Sequence, residues 1–324
     1  MIKHKNTNSN SEVILIPVPW NPTTLFSSTS HISTNKLIEL LKNSLVIDKD
    51  IPEFSINNIG IENQNENIIK QNEKAKKHFK LLTEKVSNEE VIPKKEIKEF
   101  NTTLNEVNQI IYNQVENQIK KDKVIGVIGG DSTASYPIIN ALIDYVPTFS
   151  ILSINSELNL DKSLPEINFS THSVMTEILN QHNDIKRLVQ IGIQHYTQEE
   201  LEIINKEKGR IKALFQDDIK KDYFLGKTWD SYCTKIINNL TDTVYISIHA
   251  NSLLPHYSST TNSYAEPSFD YSQINYLIKQ ICKAKKTIIG FDVIGIEDTD
   301  YMLDYQTIVN LIYLLASHTW KTHQ

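Results

Sequence analysis

The stretch VYISIHANSLLPHY, residues 244–257, runs from an apolar segment interrupted only by Ser247 straight into a polar turn. Apolar side chains at nearly every position, without alternation, mark a strand covered on both faces, as in a parallel sheet between helical layers. Five more segments of the same kind recur at 13–16, 124–128, 149–154, 188–193 and 287–291. Between most of them lie helical patterns. Residues 35–46 carry Leu37, Ile38, Leu40, Leu41 and Leu45 on one face, and further helices are expected at 136–145, 174–179, 272–284 and 305–320. Strand–helix alternation of this kind predicts an α/β fold of three αβα layers around a doubly wound, mainly parallel sheet. Residues 61–121 differ. They are rich in Asn, Lys and Glu, and Pro93 splits them into two expected helices, read here as a helical excursion within a single domain spanning 1–324.

Composition narrows the function classes. The 324 residues are 40% hydrophobic and 22% charged, with a formal net charge of −6 and both signs interspersed. No basic face points to nucleic acid or to an anionic membrane. The segment MIKHKNTNSNSE at 1–12 lacks the apolar core of a signal peptide, and no apolar run approaches the roughly 18 residues of a membrane span. Two cysteines, Cys233 and Cys282, build neither a disulfide framework nor a CxxC zinc pattern, and both fall in helical patterns that read as core. A reducing cytoplasm is the expected compartment.

In an open α/β sheet, ligands bind beyond the carboxyl ends of the strands. The segments there are GGDSTAS (129–135), NSELN (155–159), QHY (194–196), HANS (249–252) and DVIG (292–295). Together with IPVPW (16–20), FSTHSVMTEIL (169–179) and LVQIGIQHYTQEE (188–200), they come in the order in which the ureohydrolase family of arginase, agmatinase and formimidoylglutamase carries its motifs. The chain resembles that family over nearly its whole length. VIGVIGGDSTASYPIINAL (124–142) is similar to its Gly-Gly-Asp/Glu-His-Ser segment and FSILSINSELNL (149–160) to Asp-Ala-His-x-Asp. VYISIHANSLLP (244–255) is similar to Asp-x-Asp-x-x-Asp-Pro, and TIIGFDVIGIED (287–298) to Gly-Phe-Asp-x-x-Glu.

The resemblance implies an arginase-like fold, a trimer or hexamer, and hydrolysis at two Mn²⁺ ions that lower the pKa of a bridging water. It also implies where the ligands should be. The family's first histidine falls at Ser132. The Asp, His and Asp of the next segment fall at Asn155, Glu157 and Asn159, and the two later aspartates at His249 and Asn251. All six have changed, and four carboxylates have become one. Two dications about 3.5–4 Å apart need anionic oxygen around them, so the expectation is a protein without the manganese cofactor. On the substrate side, the glutamate that pairs with a guanidinium falls at Gly295, and the arginine of Gly-Ile-Arg falls at Gln194. The glycine-rich loops become NPTTLFSSTSHIS (21–33) and STTNSYAEP (259–267). His172 matches the family's proton-shuttling loop histidine and is the one catalytic residue left. Asp131 and Asp292 also survive and are expected to be structural.

Glu157 and His249 have exchanged residue types relative to the family. A mononuclear metal site, completed by His172 or Asp131, is the sharper reading. A self-satisfying Glu157–His249 pair is the plainer one, preferred because no second histidine lies at the same strand end. Asn155, Asn159 and Asn251 either line a polar pocket for a neutral ligand or make local turn bonds. Ser132 with His249 lacks the elbow motif of a Ser–His nucleophile. Three functions follow in order of preference: a ureohydrolase-fold pseudoenzyme that binds a small molecule or a partner such as an active paralogue; an enzyme of altered, mononuclear chemistry; and an active agmatinase- or formimidoylglutamase-like amidinohydrolase.

Overall fold

The computed structural model describes residues 11–24, 30–44, 46–161, 167–258, 263–298 and 300–324. Eight strands form one sheet, every neighbouring pair parallel: β1 (Val13–Pro17), β2 (Ile59–Ile61), β3 (Val124–Ile128), β4 (Phe149–Ile154), β5 (Ile185–Ile193), β6 (Ile211–Phe215), β7 (Thr243–His249) and β10 (Thr287–Ile294). Their order is β2-β1-β3-β10-β7-β4-β5-β6. A short antiparallel hairpin of β8 (His256–Ser258) and β9 (Ser263–Ala265) stands apart. Strand side chains alternate between two cores. Val13 and Leu15 of β1 face one, and Ile14 and Ile16 face the other, which is why the apolar runs show no period of two.

Helices cover both faces. On one side lie α1 (Ser30–Lys42), α7 (Gln216–Phe224), α8 (Trp229–Ile237), α9 (Tyr271–Lys283) and α10 (Met302–Lys321); on the other, α2 (Glu66–Ser87), α3 (Lys94–Ile119), α4 (Ser135–Ile143) and α5 (Val174–Gln181), with α6 (Gln198–Lys206) at its margin. The lysine-rich stretch is therefore a layer of the fold. Phe100, Leu104, Val107, Ile111 and Val115 of α3 are buried against the β1–β3 face, and Phe79 of α2 stacks on Phe100 at 5.8 Å. Pro93 is the N-cap residue of α3, with φ −62° and ψ 132°, as a residue without an N–H to donate suits a helix start.

The chain leaves β3 through α4 and enters β4 three positions further across, and β10 and β7 later fill the two places between. The carboxyl ends of β3, β10, β7 and β4 thus converge at the point where the winding reverses. α1 spans 30–42 rather than the expected 35–46. β2, β6, the hairpin, α6 and α7 have no counterpart in the sequence reading. Among the described residues no helix is long and apolar enough to cross a membrane.

Candidate functional site

The turn after β3 depends on glycine. Gly129 and Gly130 have φ of +94° and +77°, and a Cβ on Gly130 would lie 2.5 Å from the Trp20 carbonyl oxygen and 2.8 Å from that of Val18. The turn holds Asp131, whose Oδ1 accepts from Thr133 N and Oγ1 at 2.9 and 2.6 Å and whose Oδ2 accepts from Thr24 Oγ1 at 2.6 Å. Asp131 is structural in this sense: its oxygens cap the turn and hold the loop that follows β1. Burial pushes its carboxyl above the usual range, against those hydrogen bonds.

Ser132, next along, is buried, and its Oγ accepts from Asn159 Nδ2 at 2.9 Å. Asn159 has φ +55°, a conformation Asn tolerates better than most residues. Its backbone oxygen accepts from Met175 N at 3.1 Å, while its buried Oδ1 has no hydrogen-bond partner among the described residues. Asn155, at the end of β4, spends its Oδ1 on Glu157 N at 3.2 Å. Asn251 spends its Oδ1 on Ser156 N at 3.3 Å. Two of the three asparagines thus make local or cross-strand turn bonds, and the third carries the free oxygen.

His249 ends β7 and takes the cap position of the next turn: its Nδ1 accepts from Asn251 N at 3.2 Å. The neutral ring with its proton on Nε2 is the form that permits this bond. The imidazole lies over Gly295. A Cβ there would sit 2.5 Å from Nδ1 and nearer still to Cε1 and Nε2. Gly295 has φ +68° and donates its N–H to Gly130 O at 2.7 Å. The expected Glu157–His249 pair does not form. The Glu157 carboxylate makes no hydrogen bond or ion pair among the described residues, and its backbone bridges to His195 across β4 and β5. The His249 ring instead accepts from Asn251 N and lies over Gly295, the residue after β10.

His172 lies half-buried on the loop before α5, beside Glu200. Glu200 is itself consumed, accepting from Leu160 N at 3.0 Å and Thr197 N at 2.8 Å. Among the described residues, no three His, Cys, Asp or Glu side chains stand close enough together to hold a metal ion. Gln194 Nε2 donates to Glu266 O and Ser268 Oγ at 2.9 and 2.8 Å. The loop after β1 is tied across the site, Thr24 to Asp131 and Thr23 Oγ1 to Thr171 N at 2.9 Å. Residues 25–29 and 259–262 of the two altered loops lie outside the described residues.

Asp292, in mid-strand β10, is fully buried and accepts from Tyr245 OH at 2.6 Å and Ser247 Oγ at 2.7 Å. Burial raises its pKa to about 6 despite those bonds. It is structural, as expected. Lys76 escaped the sequence reading. It projects from α2 one turn beyond Asn72, whose amide holds Asn21 through two hydrogen bonds of 2.9 and 2.7 Å. That i, i+4 spacing on an otherwise apolar face was the available signal.

A model of the arginase family matches residues 47–300. Among curated proteins, an uncharacterised 32.2 kDa protein of Methanothermus fervidus is 24% identical over 186 residues, 57% of this chain and 60% of that protein. An N(1)-aminopropylagmatine ureohydrolase of Thermus thermophilus is 23% identical over 208 residues, 64% of this chain and 67% of that one. The alignment thus spans less than two thirds of the first relative's length. Among solved structures, the agmatine ureohydrolase of Thermoplasma volcanium superposes with a TM-score of 0.69 at 13% identity, covering 99% of this chain and 94% of that one. The formimidoylglutamase of Bacillus subtilis gives 0.66 at 14%, covering 97% and 87%. At these identities the structural likeness speaks for the fold.

Proposed function

The chain belongs to the arginase family, and on that premise we propose that it keeps the family's scaffold without its dinuclear manganese chemistry and acts by binding a partner or a small molecule. One observation carries the reading: at five of the six former ligand positions, all but Glu157, side-chain atoms are turned to holding the protein together. Asn155 Oδ1, Asn251 Oδ1 and His249 Nδ1 each accept a backbone N–H, and Ser132 Oγ accepts from Asn159. Only Glu157 brings a charge. Such a set does not fit two hard dications, which need several carboxylate oxygens free to coordinate and bridge. The reading includes a single domain and a homo-oligomer.

A second reading, a working amidinohydrolase, is favoured by the Thermus relative, whose name is that of a ureohydrolase. The two separate in one experiment. Purified protein is loaded with Mn²⁺, dialysed and assayed by elemental analysis, then incubated with agmatine, aminopropylagmatine and formiminoglutamate while urea and formamide are measured. The expected result is manganese far below one ion per chain and no release of either product. Two retained ions per chain, or turnover, overturns the proposal.

A further inference from the structure

The sheet has two edges, β2 and β6. β2 has three residues, too few to template a further strand. β6 is Ile-Lys-Ala-Leu-Phe at 211–215, and among the described residues it pairs only with β5. Leu188 N of β5 donates to Arg210 O at 2.9 Å, in a register that sets Leu188 beside Ile211 and Gln190 beside Ala213. Along a parallel ladder, residues bonded to a neighbour alternate with residues that face away from it. Arg210, Lys212 and Leu214 therefore bond to β5. The N–H and C=O groups of Ile211 and Ala213 point outward, where no described residue bonds them. α6 and α7 lie on opposite faces of β6, with Ile203 and Ile204 packed on one core and Ile219 in the other. The edge between them stays open: Lys212 is exposed and Ala213 only half-buried in mid-strand. An open row of backbone groups is a template for another strand.

The charges around β6 say which strand fits. Lys208 and Lys212 stand before and near its start, and Asp217 and Asp218 follow it in the first turn of α7; all four are exposed. Lys206 and Arg210, at the basic end, already pair with Glu202 and Glu207, and Lys220 and Lys221 lie further along α7. A strand of the same charge order, running the opposite way, would set each basic end against an acidic one. A second copy of this chain supplies that strand through a two-fold axis. Charge also chooses among the registers. An axis at Lys212 sets two lysines face to face, which is destabilising. An axis at Leu214 carries Ile211 past the end of the other strand. An axis at Ala213 sets Ala213 beside its own copy, Ile211 beside Phe215 and Lys212 beside Leu214, and no like charges meet.

We infer that β6 is an interface between two copies of this chain, paired antiparallel about Ala213 so that their sheets become continuous. Each Ala213 N–H donates to the Ala213 carbonyl of the other copy, and the outward groups of Ile211 meet those of Phe215. Such an axis runs normal to the sheet and keeps like faces on the same side. Lys212 shares its face with Leu214 and with α7, so it lies on the side where α7 of the second copy begins with Asp217 and Asp218. On the opposite face, the half-exposed Tyr196 ring packs on Phe215 at 4.9 Å and extends the apolar margin beside Ile211 of the second copy. The inference rests on the homo-oligomer of the proposed function and on nothing at the former metal positions.

Sedimentation velocity and mild oxidation test the interface on the full chain. The parent is expected to sediment as an even number of chains. Ala213→Pro removes an N–H that faces away from β5, so the bonds to β5 remain, and the mass should halve. Should that variant fail to fold, Lys212→Glu carries the test. It should weaken association about tenfold, because two symmetry-related contacts turn repulsive at once. Adding Asp217→Lys and Asp218→Lys to it should restore association. Ala213→Cys should form a covalent dimer on oxidation, since Cα atoms paired across the axis stand about 5.5 Å apart, inside the roughly 4.4–6.8 Å that a disulfide spans. Lys212→Cys, although more exposed, should not, because its two copies lie to either side of the axis. A cross-link in Lys212→Cys rather than Ala213→Cys, or in neither, overturns the pairing. An oligomer whose mass the folded variants leave unchanged overturns this interface alone, and a monomeric parent overturns it together with the homo-oligomer. Manganese content enters none of these outcomes.

Discussion

His249 and Gly295 occupy one volume. The imidazole fills the space a side chain at 295 would need, and the left-handed φ of +68° at Gly295 disfavours any such side chain in its own right. The two residues should therefore be energetically coupled. Gly295→Ala should cost about 2–4 kcal/mol, combining overpacking with the strain of an L-residue at positive φ. Adding His249→Ala should relieve the steric part and leave about 1–2 kcal/mol of backbone strain. A double-mutant cycle by urea denaturation measures the coupling, and strictly additive losses would show that the ring and the glycine do not compete. A second prediction concerns the asparagines. Aspartate at 155, 159 and 251 together brings like charges into a partly or fully buried site. The triple variant should be less stable than the parent near pH 8, and the gap should close as pH falls and the acids protonate. An equal urea midpoint from pH 5 to 8 would refute this. The strand ends that carry Ser132, Asn155, Glu157, Asn159, His249 and Asn251 were legible in the sequence, because these residues stand a few steps past recognisable strands. Where the side chains point was not. Glu157 and His249 suggest a pair by residue type, whereas in the structure the His249 ring accepts from Asn251 N and lies over Gly295.

Among the elements, β3 and β4 were readable to the residue, since burial on both faces leaves an apolar run, and β10 runs three residues past its expected end. The edges were not. β2 has three residues, and only Ile211 and Leu214 of the five in β6 are buried, so neither carries that signature. α2 and α3 read as a solvated excursion because their charged faces dominate the composition, although their buried stripes cover the β1–β3 half of the sheet. β10 carries the most consequential buried charge. Asp292 bridges to β7 through Tyr245 and Ser247, so removing the carboxylate strands two hydroxyls in the core. Asp292→Ala should cost about 3–5 kcal/mol by that route, and Tyr245→Phe should cost about 1 kcal/mol, one hydrogen bond with little loss of volume. Urea denaturation of both gives the comparison. Equal losses in the two variants would mean that the network adds nothing beyond the single bond.

Across the molecule, the C-terminal helix closes the structure onto the segment after α1. Tyr313 OH donates to Phe54 O at 3.0 Å, Lys321 pairs with Glu53 at 2.7 Å, and His318 Nε2 lies 3.0 Å from Asp48 Oδ2 with both side chains nearly fully buried. Burial lowers the His318 pKa, against the raising effect of Asp48. The geometry shows why the charged ring is disfavoured: Nδ1 has no acceptor for a second proton. The neutral form is preferred when folded, so the stability His318 contributes is present above its unfolded pKa of about 6.5 and is lost as pH falls through the folded value. Asp292 has the opposite sign. Its pKa is raised from 3.8 to about 6, so the folded state holds its proton more tightly, and stability falls as pH rises through that window before levelling above it. Two buried groups, one in β10 and one on the helix that packs against it, thus tilt stability in contrary directions across neighbouring pH ranges. Unfolding free energies from pH 4 to 7.5 should separate them. Relative to the parent, Asp292→Asn should remove a component that declines up to about pH 6 and so steepen the gain with pH, whereas His318→Gln should remove a component that rises with pH and so flatten the curve. The two groups share no hydrogen-bond partner among those shown, so the double variant should show the sum of the two changes. Parallel curves for all four proteins would mean that neither group titrates differently in the folded and unfolded states, and the burial argument would fail for both.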